Sequence, residues 1–191
     1  MSILKDKSFI GFVIKFLLLF VIFYYGTLAV IGLSAPGGYY SPFVAKYLDY
    51  ISLLRISLMG GTKILLSLFG IDTYYASEYV LRKINGTGFQ MVYQCLGYGV
   101  MSFWVAFVAA TAVPLLKKTS WVILGLIMLY LINITRLSLV LVAGNNKWKF
   151  PFGWDHHTWF NIFAYISIFT MMYFFDRSTK AKTKTNKEKT S

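Results

Sequence analysis

The sequence predicts an all-α polytopic membrane protein with four to five transmembrane helices, an interfacial amphipathic helix and a short external β-hairpin. Three observations predict it. The chain of 191 residues is 57% hydrophobic and 19% aromatic but only 14% charged, whereas a soluble domain carries nearer a quarter charged residues. Several near-continuous apolar runs approach the roughly 20 residues that a bilayer core requires of a helix. The basic residues behind the net charge of +12 collect at the chain ends and in one short loop. Topology accounts for such a distribution, and no nucleic-acid partner is expected. Residues 1–175 read as one integral membrane domain, and 176–191 as a basic, disordered cytoplasmic tail.

The first apolar run, Phe9 to Leu33, follows Lys5 and Lys7 and is interrupted only by Lys15, which can snorkel to the interface. It exceeds the 7–15 residues of a signal-peptide core, so it reads as a retained signal-anchor helix. Ala35-Pro36-Gly37-Gly38 breaks it. From Val44 to Phe69 a helical wheel places Leu54, Leu58, Leu65, Leu68 and Phe69 on one side. Ser52, Arg55, Thr62, Lys63 and Ser67 lie opposite. This pattern predicts the interfacial helix; a spanning helix with Arg55 and Lys63 turned inward is the alternative.

Asn85-Gly86, the strongest two-residue turn signal, predicts a hairpin of Tyr79 to Ile84 and Thr87 to Gln94. Alternation would put Phe89, Met91, Tyr93 and Cys95 on one face of the second strand. Three spans are expected after it: Leu96 to Leu116, Trp121 to Ala143, and His157 to Phe175. The tail from Asp176 holds six Lys/Arg against two acids and has no apolar period. With Lys117-Lys118 and the tail in the cytoplasm, Cys95, the far end of the next helix and His156-His157 share the external side. Lys5 and Lys7 inside gives four spans plus the interfacial helix; an external N-terminus gives five.

Candidate chemistry gathers on that side. Cys95 is the only cysteine, so no internal disulfide is possible, and a lone cysteine can be plain apolar packing. Arg136 sits about six residues, roughly 9 Å, inside the external end of its helix. A charge there needs a partner or a wet cavity, and it can serve structure alone. It can also hold a carboxylate, lower a thiol pKa or stabilise an oxyanion. Tyr130, Asn133 and Arg136, spaced by three, form one polar stripe. His157, Asn161 and Tyr165, spaced by four, form another, with Asp155 just before it, where an acid suits a helix N-terminus. Cys95, Gly99 and Ser102 share one side of the first of the three expected spans. Adjacent His156 and His157 point about 100° apart on a helix, and no cysteine or Glu/His cluster completes a metal site, so neither a metal nor a cofactor is expected. A base for Cys95 and an interfacial structural pair are the readings left for the histidines, with His157 favoured as base because it heads its stripe. A thiol, a guanidinium and an imidazole on three stripes at one surface suggest a Cys/His nucleophile with an electrostatic helper.

Cys95 at the mouth of one helix, Asn133-Ile134-Thr135-Arg136 in the next and Asp155-His156-His157 heading the last resemble the exosortase/archaeosortase family, over roughly residues 40–175. The size and the Asp-His-His form look like the compact exosortases of Bacteroidetes. The family commonly follows its cysteine with Ser or Asn and then Gly, where this chain has Cys95-Leu96-Gly97. The resemblance implies a membrane cysteine protease and transpeptidase of the bacterial inner membrane, with its site on the external face. Cys95, Arg136 and His157 or His156 would be catalytic, and Asn133, Asp155 and Asn161 would bind or support. Its partners would be the membrane-anchored C-terminal tails of exported proteins, within the lipid bilayer. A non-enzymatic membrane scaffold or export-complex subunit, with Cys95 as packing, is the main rival. A transporter lacks an inverted repeat or paired broken helices.

Overall fold

The computed structural model describes residues 7–35, 39–148 and 156–188. Helix α1, Lys7–Ser34, is continuous, because Phe9 to Leu33 holds no proline and Lys15 alone is charged. Most of its apolar side chains face outward. Four of its rings, Phe12, Phe16, Phe20 and Tyr24, form an aromatic ladder against helix α4, Tyr98–Ala110. Phe12 meets Phe107 at 5.9 Å, Phe16 meets Phe103 at 5.2 Å, and Tyr24 meets Tyr98 at 5.6 Å. The falling partner numbers make the two helices antiparallel.

Beyond α1 the chain reverses, and the Ser41 N–H donates to Leu33 O at 2.8 Å. Helix α2, Pro42–Tyr47, starts on its proline, where the missing N–H costs nothing. Helix α3, Tyr50–Leu68, is capped by Asp49, whose carboxylate accepts the Ser52 N–H at 3.0 Å. The polar positions of α3 do not face water as an interfacial helix requires. Arg55 and Thr62 are 4% and 0% exposed, while Leu53, Ile56, Ile64 and Leu68 point outward. Arg55 is inside, as the alternative has it, while Lys63 is half-buried over the Tyr75 ring.

The hairpin around Asn85-Gly86 is present but larger than expected, so the fold is not purely helical. Strands β1, Thr73–Ser77, β2, Val80–Lys83, and β3, Gly88–Gln90, form an antiparallel sheet in that order. Asn85 takes the left-handed conformation at φ 55°, which asparagine tolerates better than most residues. Strand β3 stops at Gln90, short of Gln94. Its partner β2 begins at Val80, and the Met91 N–H to Tyr79 O bond is the last to the sheet. Tyr93–Leu96 is instead a 3-10 turn, so Tyr93 and Cys95 do not continue the face of Phe89.

Helix α4 is also shorter than the expected span. It ends at Ala110, where Thr111 turns extended at ψ 154°. Pro114, which has no N–H to offer the Ala110 carbonyl, then opens helix α5, Leu115–Asn145. Helix α6, His156–Glu188, covers the expected last span and continues through most of the segment that composition assigns to a tail. Helices α4 and α5 approach closely at Gly125, where a Cβ would lie 1.8 Å from Trp104 Nε1. The Trp104 N–H donates to Trp121 O at 3.1 Å, and Trp121 meets Phe175 of α6 edge-on at 5.4 Å.

Two apolar clusters result. One, around Trp104, Val108, Leu129, Met171 and Phe175, lies toward the basic end. There Lys118 Nζ donates to Ala109 O and Lys117 Nζ to Ser178 O. The other, around Leu58, Leu81, Met91, Leu96, Leu137 and Leu141, binds α3, α5 and the sheet. Asn145 fastens the sheet to the end of α5, accepting the Thr87 N–H at 2.8 Å and donating to Thr87 O at 3.2 Å. Among the described residues, three helical stretches are long and apolar enough to cross a membrane: Lys7–Ser34, the broken pair Pro42–Leu68, and Leu115–Asn145.

Candidate functional site

The turn that carries Cys95 is held from both ends. Its own hydrogen bond runs from the Cys95 N–H to Val92 O at 2.9 Å. Gly97, at φ +74°, then swings the chain into α4, a conformation that a side chain would strain. From α5, the Asn133 amide donates to Cys95 O at 2.9 Å in a buried contact. The sequence placed Asn133 on a polar stripe; the structure gives it a definite task, locking the cysteine turn to α5.

The stripe itself fans out. Tyr130 turns to α3, its hydroxyl 2.7 Å from Ser57 Oγ and donating to Ser57 O at 3.0 Å. Arg136, three residues beyond Asn133, has a buried Nε with no hydrogen-bond partner among the described residues. It borders a cavity of about 280 Å³ enclosed by the cysteine turn and helices α4, α5 and α6. Gln94 and Gly97 line it from the two flanks of Cys95, Asn133 and Arg136 from α5, and Trp159 and Asn161 from α6. Val100, Leu129 and Phe163 supply apolar wall, and no acidic residue stands among the described lining. A guanidinium lining such a space suits an oxyanion, a carboxylate or a polarised carbonyl.

The structure therefore brings together Asn133, Arg136, Asn161 and both flanks of Cys95. It does not put the Cys95 side chain among the cavity's lining. That side chain is 9% exposed and belongs to the apolar cluster with Leu58, Met91 and Leu96. His156 opens α6, but Asp155 and the imidazoles of His156 and His157 lie outside the described residues. Among the described residues no three His, Cys, Asp or Glu side chains gather as a metal ion would require.

Sequence reasoning missed a second polar cluster on the sheet side of the same turn. Arg55 donates from Nη1 to Glu78 O at 3.0 Å and pairs through Nη2 with the Glu78 carboxylate, and its Cζ lies 4.0 Å from the centre of the Tyr79 ring. The only signals were an arginine inside an apolar helix and an acid in the polar segment after it, with nothing to join them. A comparison of the chain with protein-family models, with curated proteins and with solved structures returns no match. The functional reading therefore stands on the residues and their geometry.

Proposed function

We propose that the chain is a membrane-embedded cysteine peptidase or transpeptidase that cleaves the C-terminal sorting signals of exported proteins at the outer face of the bacterial inner membrane. The observation that carries the reading is the bond from Asn133 to the carbonyl of Cys95. It fixes the thiol-bearing turn to the helix that presents Arg136 one turn later, beside a cavity that α6 closes. The scissile carbonyl of a membrane-anchored tail would enter that cavity. His157, or its neighbour His156, would take the thiol proton, and the Cys95 sulfur would bond to the carbonyl carbon as the π pair moves onto oxygen. Arg136 would hold the resulting oxyanion. Collapse breaks the C–N bond, the histidine returns its proton to the departing amine, and a thioester remains. Water, an envelope amine or a hydroxyl then releases it, giving hydrolysis or transfer.

This chemistry requires the thiol to leave its apolar cluster and reach the cavity. In the proposed topology the basic ends of α1, α5 and α6 are cytoplasmic and the cavity is external, with four to five spans. Cys95→Ala should abolish cleavage of a tagged tail substrate on an immunoblot while the protein still inserts in the membrane. Full processing by this variant would remove the enzymatic reading.

The burial of Cys95 in an apolar cluster favours a second reading, a non-enzymatic membrane scaffold or export-complex subunit in which the thiol only packs. Maleimide separates the two. An enzyme thiol that turns into the cavity should label within minutes near neutral pH, whereas a packing thiol should label only on unfolding.

A further inference from the structure

A second cavity, of about 480 Å³, lies on the sheet side of the cysteine turn, within the size range of pockets that take small ligands. Arg55, Tyr79, Gln90, Tyr93 and Gln94 line it, together with the apolar Met91, Val92 and Leu96. The arginine, the two phenols and the two amides can all donate hydrogen bonds, and no acidic residue stands among the described lining. Gln94 borders this cavity and the Arg136 cavity alike. The turn bearing Cys95 is thus the partition between two spaces, and an extended chain laid across it would enter both.

The Arg55–Glu78 pair is lopsided in a way that a purely structural ion pair need not be. The arginine side chain is 5% exposed and the glutamate side chain 65%. Arg55 is also held by the main-chain carbonyl of Glu78 and by the Tyr79 ring, so the cation stays in place if the carboxylate leaves. The bonds to the Glu78 carbonyl and carboxylate use two of the five N–H groups of a guanidinium. The exposed carboxylate regains water as it swings out. A second carboxylate taking its place would keep the buried cation paired, as it must be, and would gain contacts with the remaining donors of the cavity. Burial pushes the Tyr93 phenol above its usual range, with Tyr79 adding to the effect and Arg55 opposing it, which keeps that hydroxyl a donor.

We propose that the Arg55 cavity is a peptide subsite that takes an acidic side chain of an extended substrate segment, with Glu78 as its internal placeholder. The proposal rests on the peptidase reading for its choice of a peptide, but its test is a binding measurement that needs no turnover. The full-length protein in detergent is titrated with a dye-labelled, end-capped peptide Ala-Ala-Glu-Ala-Ala and with its Gln counterpart, by fluorescence anisotropy. The Glu peptide should bind about tenfold more tightly, the worth of one charge-assisted contact. Glu78→Gln, a change at an exposed side chain, should tighten the Glu peptide by removing its competitor, and Arg55→Gln should erase the preference. Equal affinity for both peptides, no saturation by about 1 mM, or weaker Glu-peptide binding by Glu78→Gln would overturn the subsite. Displacement by dihexanoyl phosphatidylglycerol as readily as by unlabelled Glu peptide would assign the cation to a lipid phosphate, and would overturn it too. Tail cleavage by Cys95→Ala with the Glu preference intact would sink the peptidase reading alone. A lost preference with normal cleavage would sink the subsite alone.

Discussion

Asn133 and Arg136 sit one helical turn apart on α5 and act on opposite sides of the same problem. Asn133 spends its amide on the carbonyl of Cys95, and Arg136 keeps a buried Nε uncommitted. Removing the first should loosen the turn, and removing the second should spoil the chemistry. Asn133→Leu leaves a buried carbonyl unpaired, which costs about 1–3 kcal/mol. It should lower the melting temperature and speed maleimide labelling of Cys95 as the turn frees the thiol, while slowing tail cleavage. Labelling at the wild-type rate would mean that the bond does not govern the turn. For Arg136, lysine is the informative replacement, because it keeps the charge but loses the planar fork and deprotonates when desolvated. Arg136→Lys and Arg136→Ala should each slow cleavage by about 10²-fold or more, what one oxyanion donor supplies. If Arg136 serves the tetrahedral intermediate, the lysine variant keeps the wild-type labelling rate; if it serves the thiolate, labelling slows as well. A lysine variant that cleaves normally would leave Arg136 a structural residue.

At the scale of the elements, the contact of α4 with α5 is the least tolerant of change. Trp104 is fully buried beside Gly125, so the indole has nowhere to retreat. Gly125→Val should force the helices apart and break the Trp104 bond to Trp121 O, at about 1–3 kcal/mol or more for overpacking. A lower melting temperature in detergent checks this, and an unchanged one would mean that α4 is free to slide. What the sequence disclosed follows the same division. Apolar runs gave α1 and α5, and Asn85-Gly86 gave the turn between β2 and β3, because both signals are local. The placement of Asn133, Arg136 and Asn161 on one space was legible from helical spacing and the order of the spans. Strand β1 and the short α4 were not, and the inward Arg55 stood only as an alternative. Arg55 faces inward because Glu78, 23 residues later, neutralises it, and the wheel of α3 alone carries no trace of that partner. Cys95 was expected on a strand face, and it sits instead on a 3-10 turn because β2 ends before β3 could continue.

At the scale of the whole molecule, the vertical positions of the groups agree with one bilayer. Lys117 and Arg136 are 19 residues apart on one unbroken helix, about 29 Å at 1.5 Å per residue, close to the roughly 30 Å hydrocarbon core. When Lys117 sits at one interface, Arg136 sits at the other. On α1, Lys7 to Tyr24 spans 17 residues, about 26 Å by the same rise. Tyr24 stacks on Tyr98, three residues after Cys95, so the cysteine turn comes to the same level as Arg136. Lys7, Lys117 and Ser178 mark the opposite level, since α1 runs antiparallel to α4 and Lys117 bonds Ser178 O. In the topology proposed above, the positive-inside rule would put that basic level in the cytoplasm and the cysteine level outside. Orientation is open to a direct measurement that does not depend on catalysis. In a Cys95→Ala background, Gly86→Cys would report the tip of the sheet and Ser191→Cys the end of the chain. With intact cells and an impermeant maleimide, the first should label at once and the second only after permeabilisation. Labelling of Ser191→Cys alone would invert the protein and leave Cys95 and Arg136 facing the cytoplasm, where the tail of an exported protein is not presented for cleavage. Labelling of both in intact cells would mean that Lys117 and the chain end do not share a side. That outcome would break the link between α5 and α6 on which the shared cavity depends.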